Sequence, residues 1–439
     1  MGDLKLFAIA GNPALHSRSP QMFNTAFGAL GMDNCFYLRF AASRAAEVLQ
    51  VMREVPVHGF NVTSPFKEEI VPLLDDVDET ARRIGAVNAI ITEGDRLKGF
   101  NTDVVGVEGA FGANGVELAG KRALVLGAGG AARAAVAALT KAGTEVVVVN
   151  RTFRKAEFIA ESLSCGAASM KDLEKEIDGS DILVSCLPGG IHVVPAHSLR
   201  PGLIILDANY GEKAILAGEG TRHGCAVIDG SEWLLYQGVA AFTLFTGLGN
   251  PPVEVMRKSV FGNHIFSRNN IALIGFMGTG KSVVGRHVSE ELKLPFIDVD
   301  SEIEKRNNVI IEKIFGEYGE EVFRKMEREE MERVAGLSGR VISCGGGAVL
   351  NKSSMNYLKE HCIIIWLWAN IDTIMKRTGE NGARPLLEVK DRRSEVEALL
   401  TFRKPYYADA SDLFIKTDHT KPGEIAERIC NESAQFLKN

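Results

Sequence analysis

Residues 269–282 read NNIALIGFMGTGKS. Ile271–Ile274 is an apolar run typical of a buried parallel strand, and Gly275–Ser282 follows the pattern G-x-x-x-x-G-K-[ST]. Such a loop turns successive backbone N–H groups toward phosphate oxygens, and the following helix adds the positive end of its dipole. The alternative is a glycine-rich turn before an ordinary helix, but strand, loop and a helical run to Leu292 come in the required order. The stretch therefore predicts an α/β nucleotide-binding domain, in which Lys281 reaches the β/γ-phosphates and the Ser282 hydroxyl binds Mg²⁺.

The length and composition of the chain limit the classes of protein it can belong to. A chain of 439 residues predicts about three domains at roughly 150 residues each, and 46% hydrophobic with 24% charged residues is ordinary for a globular protein. The net charge of −6 predicts no nucleic-acid partner, and no apolar run reaches the roughly 18 residues of a membrane helix. Seven scattered cysteines and an N-terminus without a signal peptide indicate a reducing, cytoplasmic location. The oligomeric state stays open, and a homo-oligomer is compatible with the composition.

Polar side chains follow apolar strands throughout residues 1–105. The candidates for binding or catalysis are Ser17 and Ser19, Thr63 and Lys67, Asn88, and Asp103. Each has an ordinary alternative: Ser17 and Ser19 precede a helical stretch and are compatible with helix caps, and a lone lysine after a turn is usually a surface charge. The residues alone leave these alternatives open.

Four motifs in this segment resemble the substrate domain of shikimate dehydrogenase: S-x-S-P, N-V-T-x-P-x-K, G-A-V-N and N-T-D, in this order. The resemblance implies that a polyhydroxy cyclohexene acid is hydrogen-bonded by Ser17, Ser19, Thr63, Asn88 and Asp103. It also implies that Lys67 and Asp103 are the catalytic pair. One position departs from the family pattern, since Phe23 replaces a histidine before Asn24. This departure concerns a supporting contact rather than the chemistry.

Ketone reduction gives a physical role to such a pair. The reaction needs a hydride on carbon and a proton on oxygen, and the Lys67 ammonium can hold the developing alkoxide and donate that proton. A nearby Asp103 carboxylate would orient the ammonium and keep it charged. That the two side chains lie close together is implied by the resemblance.

A second glycine-rich turn, of the dinucleotide type, lies in residues 106–260. Lys121–Leu126 is a parallel-type strand that runs into Gly127-Ala128-Gly129-Gly130-Ala131, and an Ala-rich helix follows to about residue 142. A second strand, Glu145–Val149, is followed by the cationic run Asn150-Arg151-Thr152 and Arg154-Lys155. An NAD enzyme would have an acidic residue here, whereas a cationic cluster suits the 2′-phosphate of NADP(H). A solvated basic loop is the alternative interpretation.

The shikimate dehydrogenase resemblance extends through this segment to about residue 260. It implies that Asn150, Arg151, Thr152 and Lys155 bind the 2′-phosphate side of NADP(H), with Ala208 and Gly230 also on the cofactor. Gly230 would contact the nicotinamide ribose region, and Tyr210 and Gln237 would bind the substrate. Taken alone, Gln237 is more typical of a helix surface amide.

Further polar groups follow the phosphate-binding loop in residues 270–439. Pro295–Asp300 is predicted as a short strand whose two carboxylates, Asp298 and Asp300, face the same side. Asp298 is a candidate for the Mg²⁺ shell, and Asp300 for accepting a hydrogen bond from a substrate hydroxyl. Gly345–Gly347 allows close approach of a ligand, with a tight turn as the alternative. A glycine-rich, charged loop that carries Arg384 is typical of a lid over a triphosphate.

The motifs D-x-D, F-R-x-x-E, G-G-G-A, R-P-L-L and R-x-x-Y resemble shikimate kinase over about residues 270–430. The resemblance implies that shikimate is held by Asp300, Arg324, Gly346 and Arg403. It implies that ATP is bound by Gly278, Thr279, Gly280, Lys281, Ser282 and Arg384. Two arginines suit a carboxylate, because the guanidinium fork matches its geometry. Catalysis would then depend on Asp300, Lys281 and Arg384.

The predicted architecture is α/β throughout. It has an α/β substrate domain (1–105), a Rossmann NADP-binding domain (106–260), a linker (261–269) and a P-loop kinase domain with a parallel sheet (270–439). The helices near 230–260 are compatible with returning to the first domain. The two resemblances name the same metabolite, which predicts a bifunctional enzyme that reduces 3-dehydroshikimate with NADPH and phosphorylates shikimate with ATP and Mg²⁺. The alternatives are a ligand-sensing regulatory protein with an inactive dehydrogenase half and a quinate-directed dehydrogenase.

Overall fold

The chain folds into two compact α/β units in the computed structural model, which describes residues 4–55, 57–262, 268–379, 391–434 and 436–437. The P-loop unit contains the described residues of Met1–Ser17, Asp33–Val57 and Asn263–Asn439. The Rossmann unit contains Arg18–Met32 and His58–Gly262. The predicted lid with Arg384 and residues 263–267 of the predicted linker lie outside the described residues. No helix in the described part of the chain is long and apolar enough to cross a membrane.

The elements up to residue 113 are β1 (Lys5–Gly11), α1 (Ser19–Ala29), β2 (Cys35–Ala41), α2 (Ala45–Glu54), β3 (Val57–Val62), α3 (Phe66–Glu69), β4 (Asp76–Val77), α4 (Glu79–Ile84), β5 (Ala89–Glu93), β6 (Arg96–Phe100) and α5 (Asp103–Ala113). The next set is β7 (Arg122–Leu126), α6 (Gly130–Lys141), β8 (Glu145–Val149), α7 (Phe153–Leu163), β9 (Gly166–Ala168), α8 (Leu173–Asp178), β10 (Ile182–Ser185), β11 (Ile204–Asp207), α9 (Ile215–Arg222), β12 (Ala226–Ile228), α10 (Gly230–Thr246) and α11 (Val253–Phe261).

The remaining elements are β13 (Asn270–Ile274), α12 (Lys281–Leu292), β14 (Phe296–Asp298), α13 (Val299–Asn307), α14 (Ile311–Ala335), β15 (Val341–Ser343), α15 (Lys352–His361), β16 (Cys362–Trp368), α16 (Ile371–Gly379), α17 (Arg392–Ala410), β17 (Leu413–Lys416) and α18 (Pro422–Ser433).

The sheet of the P-loop unit is parallel, in the order β14-β15-β13-β16-β17-β2-β1. Strands β13 and β16 are buried along their whole length, which explains why both read as continuous apolar runs in the sequence. Strand β17 pairs with β2 at Phe414 and Phe40, whose rings stack with centroids 4.8 Å apart. Two N-terminal strands thus extend the sheet that carries the phosphate-binding loop.

The Rossmann unit contains a six-stranded parallel sheet in the order β12-β11-β10-β7-β8-β9. The strand order reverses between β7 and β10, and the crevice at such a switch point is where doubly wound sheets bind their ligands. Strands β3, β5, β6 and β4 also lie in this unit, with antiparallel β3–β5 and β5–β6 pairs and a parallel β4–β6 pair.

Helix packing in the Rossmann unit depends on small residues at the contacts. A side chain at Gly106 or Gly109 of α5 would collide with Trp233 or Tyr236 of α10. Helix α11 approaches α1, where the Arg18 guanidinium donates to the carbonyl oxygen of Val260 at 2.9 Å. The helices near 230–260 therefore pack on α1 and α5.

Candidate active sites

The central feature of the Rossmann unit is an ion pair between Lys67 and Asp103. Lys67 Nζ lies 2.5 Å from Asp103 Oδ2, and the side chains are only 18% and 7% exposed. Lys67 is on the short helix α3, and Asp103 is the first residue of α5. A carboxylate at the first turn of a helix is stabilised by the helix dipole. The structure therefore brings together the two residues that the resemblance paired.

An amide network holds the start of α5. The Asn101 side chain accepts from the Asp103 N–H at 3.0 Å and donates to the Ala86 carbonyl at 2.9 Å. The Asn88 side chain accepts from the Thr102 N–H at 2.7 Å and donates to the Thr102 hydroxyl at 3.0 Å. Asn101 was not among the predicted site residues, although it is the first letter of the N-T-D motif. Its role is to hold the backbone that carries Asp103.

The other predicted substrate-binding residues are distributed over both units. Gln237 on α10 lies 3.5 Å from Asn88, measured between Oε1 and Nδ2. Tyr210 lies under the Arg18 guanidinium, whose carbon is 5.0 Å from the ring centroid. Thr63 is half-buried, and Ser19 is the buried first residue of α1. These four lie in the Rossmann unit, whereas Ser17 is a buried residue of the P-loop unit.

The glycine-rich turn after β7 lies at the switch point of the six-stranded sheet. Gly127 has φ +111°, and a Cβ there would lie 3.1 Å from the Cys186 carbonyl oxygen, at the end of β10. A Cβ at Gly130, the first residue of α6, would lie 3.1 Å from the Cβ of Lys67. The small residues therefore let the turn, with Ala128, Gly129 and Ala131, lie directly against the Lys67 side chain. This arrangement fits a dinucleotide bound at the helix N-terminus.

The predicted cationic cluster lies between β8 and the start of α7. Arg151, Thr152 and Lys155 are exposed, and the Asn150 side chain donates to the Thr152 carbonyl at 3.0 Å. The first turn of α7 has no acidic residue. Two cationic side chains at a helix N-terminus form an anion-binding surface, which fits a phosphate on the adenosine ribose. Ala208 follows β11, and Gly230 begins α10 so close to the Asp207 and Asn209 carbonyls that no side chain fits.

The phosphate-binding loop of the P-loop unit has the predicted strand–loop–helix form. Gly275, Gly278 and Gly280 have φ of +146°, +78° and +93°, a region that favours glycine. The Lys281 ammonium donates to the Gly275 and Phe276 carbonyls at 2.9 and 3.1 Å, so its side chain folds over the loop. This geometry fits the phosphate chain of a nucleotide at the N-terminus of α12.

Ser282 and Asp298 form a hydroxyl–carboxylate pair beside this loop, with 2.6 Å between Ser282 Oγ and Asp298 Oδ2. Mg²⁺ prefers oxygen ligands, and the pair supplies them next to the phosphate-binding loop. The residues therefore fit a magnesium ion held between the loop and β14.

The prediction that Asp298 and Asp300 share one strand is wrong. Strand β14 ends at Asp298, which caps α13 by accepting from the Ser301 N–H at 3.3 Å, and Asp300 lies in the first turn of that helix. A capping aspartate favours helix initiation directly after it, and this local signal outweighs the alternating pattern. As a result Asp298 faces Ser282, whereas Asp300 lines a separate cavity.

The cavity has a volume of about 490 Å³. Its lining contains the predicted residues Asp300, Arg324, Gly346 and Arg403, together with Met277, Phe323, Glu327, Gly345, Gly347 and residues 304, 310–312 and 315. Arg403 donates to the Gly346 carbonyl at 3.1 Å, as Tyr407 does at 2.7 Å. A side chain at Gly347 would collide with the Arg324 guanidinium. The structure thus brings together Asp300, Arg324, Gly346 and Arg403, the four residues predicted to hold shikimate.

Glu327 is the residue of this cavity that the sequence interpretation missed. Its carboxylate is 2% exposed and pairs with Arg324 at 2.7 Å. Burial raises the pKa of Glu327 against the attraction of Arg324, and nearby Asp300 raises it further. The Arg324 pKa, which burial lowers, is raised overall by Glu327. Glu327 is the last residue of the F-R-x-x-E motif, and this position was the signal for it in the sequence.

Two cavity atoms point to a polar ligand. Among the described residues, Glu327 Oε1 and Arg403 Nε are buried without a hydrogen-bond partner. Buried polar atoms without a partner are costly, so a bound molecule with hydroxyl and carboxylate groups would satisfy them.

Comparison with known proteins relates segments of this chain to two families. Family models described as shikimate dehydrogenase substrate binding domain, shikimate/quinate 5-dehydrogenase and shikimate 5′-dehydrogenase C-terminal domain match residues 9–90, 111–203 and 230–261. The NADP⁺-dependent shikimate dehydrogenase of Moorella thermoacetica is 41% identical over 58% of this chain and 91% of its own. The chain belongs to the shikimate dehydrogenase family. A shikimate kinase family model matches residues 277–434, so a shikimate kinase domain is joined to it.

Solved structures of shikimate dehydrogenases agree with this assignment. The Thermus thermophilus enzyme in complex with NADP(H) and shikimate is 34% identical, with a TM-score of 0.52 over 58% of this chain and 98% of that chain. The quinate dehydrogenase of Corynebacterium glutamicum in complex with NAD is 26% identical, with a TM-score of 0.53 over 59% and 99%. The chain is thus a bifunctional shikimate-pathway enzyme with an NADP-dependent dehydrogenase part and an ATP-dependent kinase part.

Proposed function

We propose that this enzyme reduces 3-dehydroshikimate at Lys67 and Asp103 and phosphorylates the resulting shikimate in the cavity beside the phosphate-binding loop. The observation that carries the first assignment is the buried Lys67–Asp103 ion pair, which lies against a dinucleotide-type turn. The second is supported by a cavity that joins a carboxylate, Asp300, to two guanidinium groups beside a P-loop.

Lys67 acts as the proton donor in the reduction. Its ammonium is held by Asp103 at 2.5 Å, and it donates a proton to the substrate carbonyl oxygen as this oxygen becomes a hydroxyl group. NADPH held at the dinucleotide-type turn would supply the hydride for the carbonyl carbon. Asp103 orients the ammonium, and Asn101 and Asn88 hold the backbone around Asp103.

Substrate orientation is assigned to the polar residues that the resemblance to shikimate dehydrogenase implies: Ser17, Ser19, Thr63, Asn88, Tyr210 and Gln237. The contact between Gln237 and Asn88 supports two of these assignments. The cationic cluster with Arg151 and Lys155 would bind the 2′-phosphate and thereby favour NADP(H) over NAD(H).

Phosphoryl transfer in the P-loop unit is mostly positioning and charge neutralisation. Arg324 and Arg403 bind the shikimate carboxylate, and Asp300 accepts a hydrogen bond from the hydroxyl that is phosphorylated. Lys281 neutralises charge on the transferred group, and Ser282 with Asp298 would hold Mg²⁺, which would neutralise further phosphate charge. Arg384 stays a predicted contribution from the lid, outside the described residues.

A coupled assay tests the proposal. Purified enzyme with 3-dehydroshikimate, NADPH and ATP–Mg²⁺ should consume NADPH and form shikimate 3-phosphate. Absorbance at 340 nm measures the NADPH, and mass spectrometry identifies the product. Without ATP, the reaction should stop after reduction and shikimate should accumulate. Tight NADPH binding without oxidation would instead support a ligand-sensing role, and faster turnover of quinate with NADP⁺ than of shikimate would support a quinate-directed dehydrogenase.

A further inference from the structure

The chain segment that precedes the two predicted substrate serines is buried against the kinase domain. We call residues 12–17 the serine loop, since it ends at Ser17. Ala14 and Leu15 are 0% and 2% exposed and belong to one hydrophobic cluster with Ile425, Ala426 and Ile429 of helix α18. Helix α18 lies within the residues matched by the shikimate kinase family. Part of a dehydrogenase loop thus packs in the core of the kinase-type unit.

Glu432, near the end of α18, holds the backbone of this loop. Its carboxylate accepts from the Ala14 N–H at 2.9 Å and from the Leu15 N–H at 2.8 Å. Glu432 is 2% exposed, so these hydrogen bonds are shielded from water. Burial raises the pKa of Glu432, and the hydrogen bonds from the Leu15 and Ala14 N–H groups oppose this rise.

The serine end of the loop is held from the same unit. The Ser17 N–H donates to the Ala14 carbonyl at 3.0 Å, so the backbone that Glu432 holds continues directly to Ser17. The Arg39 guanidinium donates to the Ser17 carbonyl from Nε and Nη2, at 3.0 and 2.6 Å, and to the Asp412 carbonyl from Nη1, at 3.2 Å. Asp412, like Glu432, belongs to the kinase-type residues.

We propose that Glu432, a residue of the kinase domain, is a positioning residue for the dehydrogenase, because it fixes the serine loop, which ends at Ser17. The inference rests on the proposed function, in which Ser17 binds 3-dehydroshikimate. Glu432 is not itself a binding residue for 3-dehydroshikimate or NADPH. It acts through the backbone of Ala14 and Leu15. The dehydrogenase of this chain therefore depends on its fused kinase for substrate affinity.

Three variants of the full chain separate hydrogen bonding from packing. Glu432→Met keeps the volume and removes the acceptor. Glu432→Gln is the conservative variant, since Oε2 lies within 2.9 Å of both N–H groups and one amide oxygen can accept from both. Glu427→Gln is the matched control, because Glu427 is exposed on the same helix. Steady-state NADPH oxidation gives KM and kcat for 3-dehydroshikimate, and a coupled ADP assay gives the kinase constants.

We expect Glu432→Met to raise KM for 3-dehydroshikimate about tenfold, with kcat, KM for NADPH and the kinase constants within about twofold of the unmodified enzyme. Glu432→Gln should restore KM to near its original value, and Glu427→Gln should change nothing. If Glu432→Met does not fold, Glu432→Asp replaces it. The shorter side chain moves the carboxylate away from the Ala14 and Leu15 N–H groups, so this variant should also raise KM for 3-dehydroshikimate.

Three results would overturn the inference. The first is an unchanged KM in a folded Glu432→Met or Glu432→Asp protein. The second is a parallel loss of both activities with the melting temperature, which would assign Glu432 to stability alone. The third is a Glu432→Gln variant as impaired as Glu432→Met. Failure of the proposed function is distinct from all of these, because the unmodified enzyme would then not oxidise NADPH with 3-dehydroshikimate.

Discussion

The dehydrogenase and kinase regions organise their charged groups in different ways. In the Rossmann unit one ammonium faces one carboxylate, Lys67 and Asp103, and amide side chains hold the surrounding backbone. In the P-loop unit the cavity is lined by two guanidinium groups and four carboxylates, and Arg324 pairs with buried Glu327. The contrast follows from the chemistry. Ketone reduction needs one group that gives up a proton, whereas phosphoryl transfer needs several fixed charges that orient an anionic substrate.

The largest expected effect comes from Lys67, since it is the proposed proton donor of the reduction. Lys67→Met should lower kcat for 3-dehydroshikimate reduction by about 10²–10⁴-fold and leave the kinase activity intact. The control is Lys141→Met, whose side chain is 70% exposed in the same unit. The measurement is NADPH oxidation beside an ADP-release assay on the same preparation. Loss of both activities in a folded Lys67→Met protein would refute the claim of two separate sites.

The reverse pattern is expected for Lys281. Lys281→Met should lower kinase kcat by about 10²–10³-fold, because one preorganised cation at the phosphate-binding loop is lost, while 3-dehydroshikimate reduction continues. Lys305→Met serves as the control, because this lysine on α13 is 71% exposed. Retained kinase activity in Lys281→Met would contradict the assignment of the loop.

A smaller effect concerns pH: KM of the kinase for shikimate should depend on pH through Glu327. Burial raises the pKa of Glu327 above its ordinary value of 4.5, so the carboxylate takes up a proton as the pH falls through that raised pKa. The ion pair with Arg324 is then lost, and KM of the kinase for shikimate should rise by about tenfold. The Glu327→Gln variant should show the raised KM at all pH values, without a further rise at low pH. If KM of Glu327→Gln for shikimate rises by the same factor at low pH, the titration belongs to another group.

The smallest effect concerns cysteine reactivity. Burial raises the pKa of both Cys186, beside the dehydrogenase pair, and Cys344, beside the kinase cavity, so neither should react rapidly with N-ethylmaleimide near neutral pH. Cys186 is half-buried whereas Cys344 is 2% exposed, so slow loss of dehydrogenase activity should precede loss of kinase activity. Cys186→Ser should abolish the early phase. Equal rates of inactivation at both sites would argue against this difference in access.

Motifs with a local physical cause could be read from the sequence. The phosphate-binding loop and the dinucleotide-type turn both depend on glycine conformations and on a strand followed by a helix, which neighbouring residues determine. The predicted strand Glu145–Val149 coincides with β8 for the same reason. By contrast, the alternating pattern predicts Asp300 on a strand, whereas Asp298 caps a helix that begins at Val299 and contains Asp300.

Contacts between distant parts of the chain could not be read in this way. Glu327 is one of several glutamates on α14, and only the folded helix decides that it faces Arg324 and the cavity rather than solvent. The pairing of β2 with β17, and the contact of Glu432 with Ala14, join residues more than 350 positions apart. Nothing in the composition of either segment specifies such a partner.

The sequence by itself determined the two nucleotide-binding turns, the α/β class, and the residue types for ketone reduction and phosphoryl transfer, because each depends on short-range backbone chemistry and spacing. Only the tertiary structure decided which charges meet. It placed Lys67 against Asp103, Arg324 against Glu327, and the kinase helix α18 against the serine loop. The physical reason is that burial and pairing energies depend on three-dimensional distance, which the order of residues along the chain does not specify.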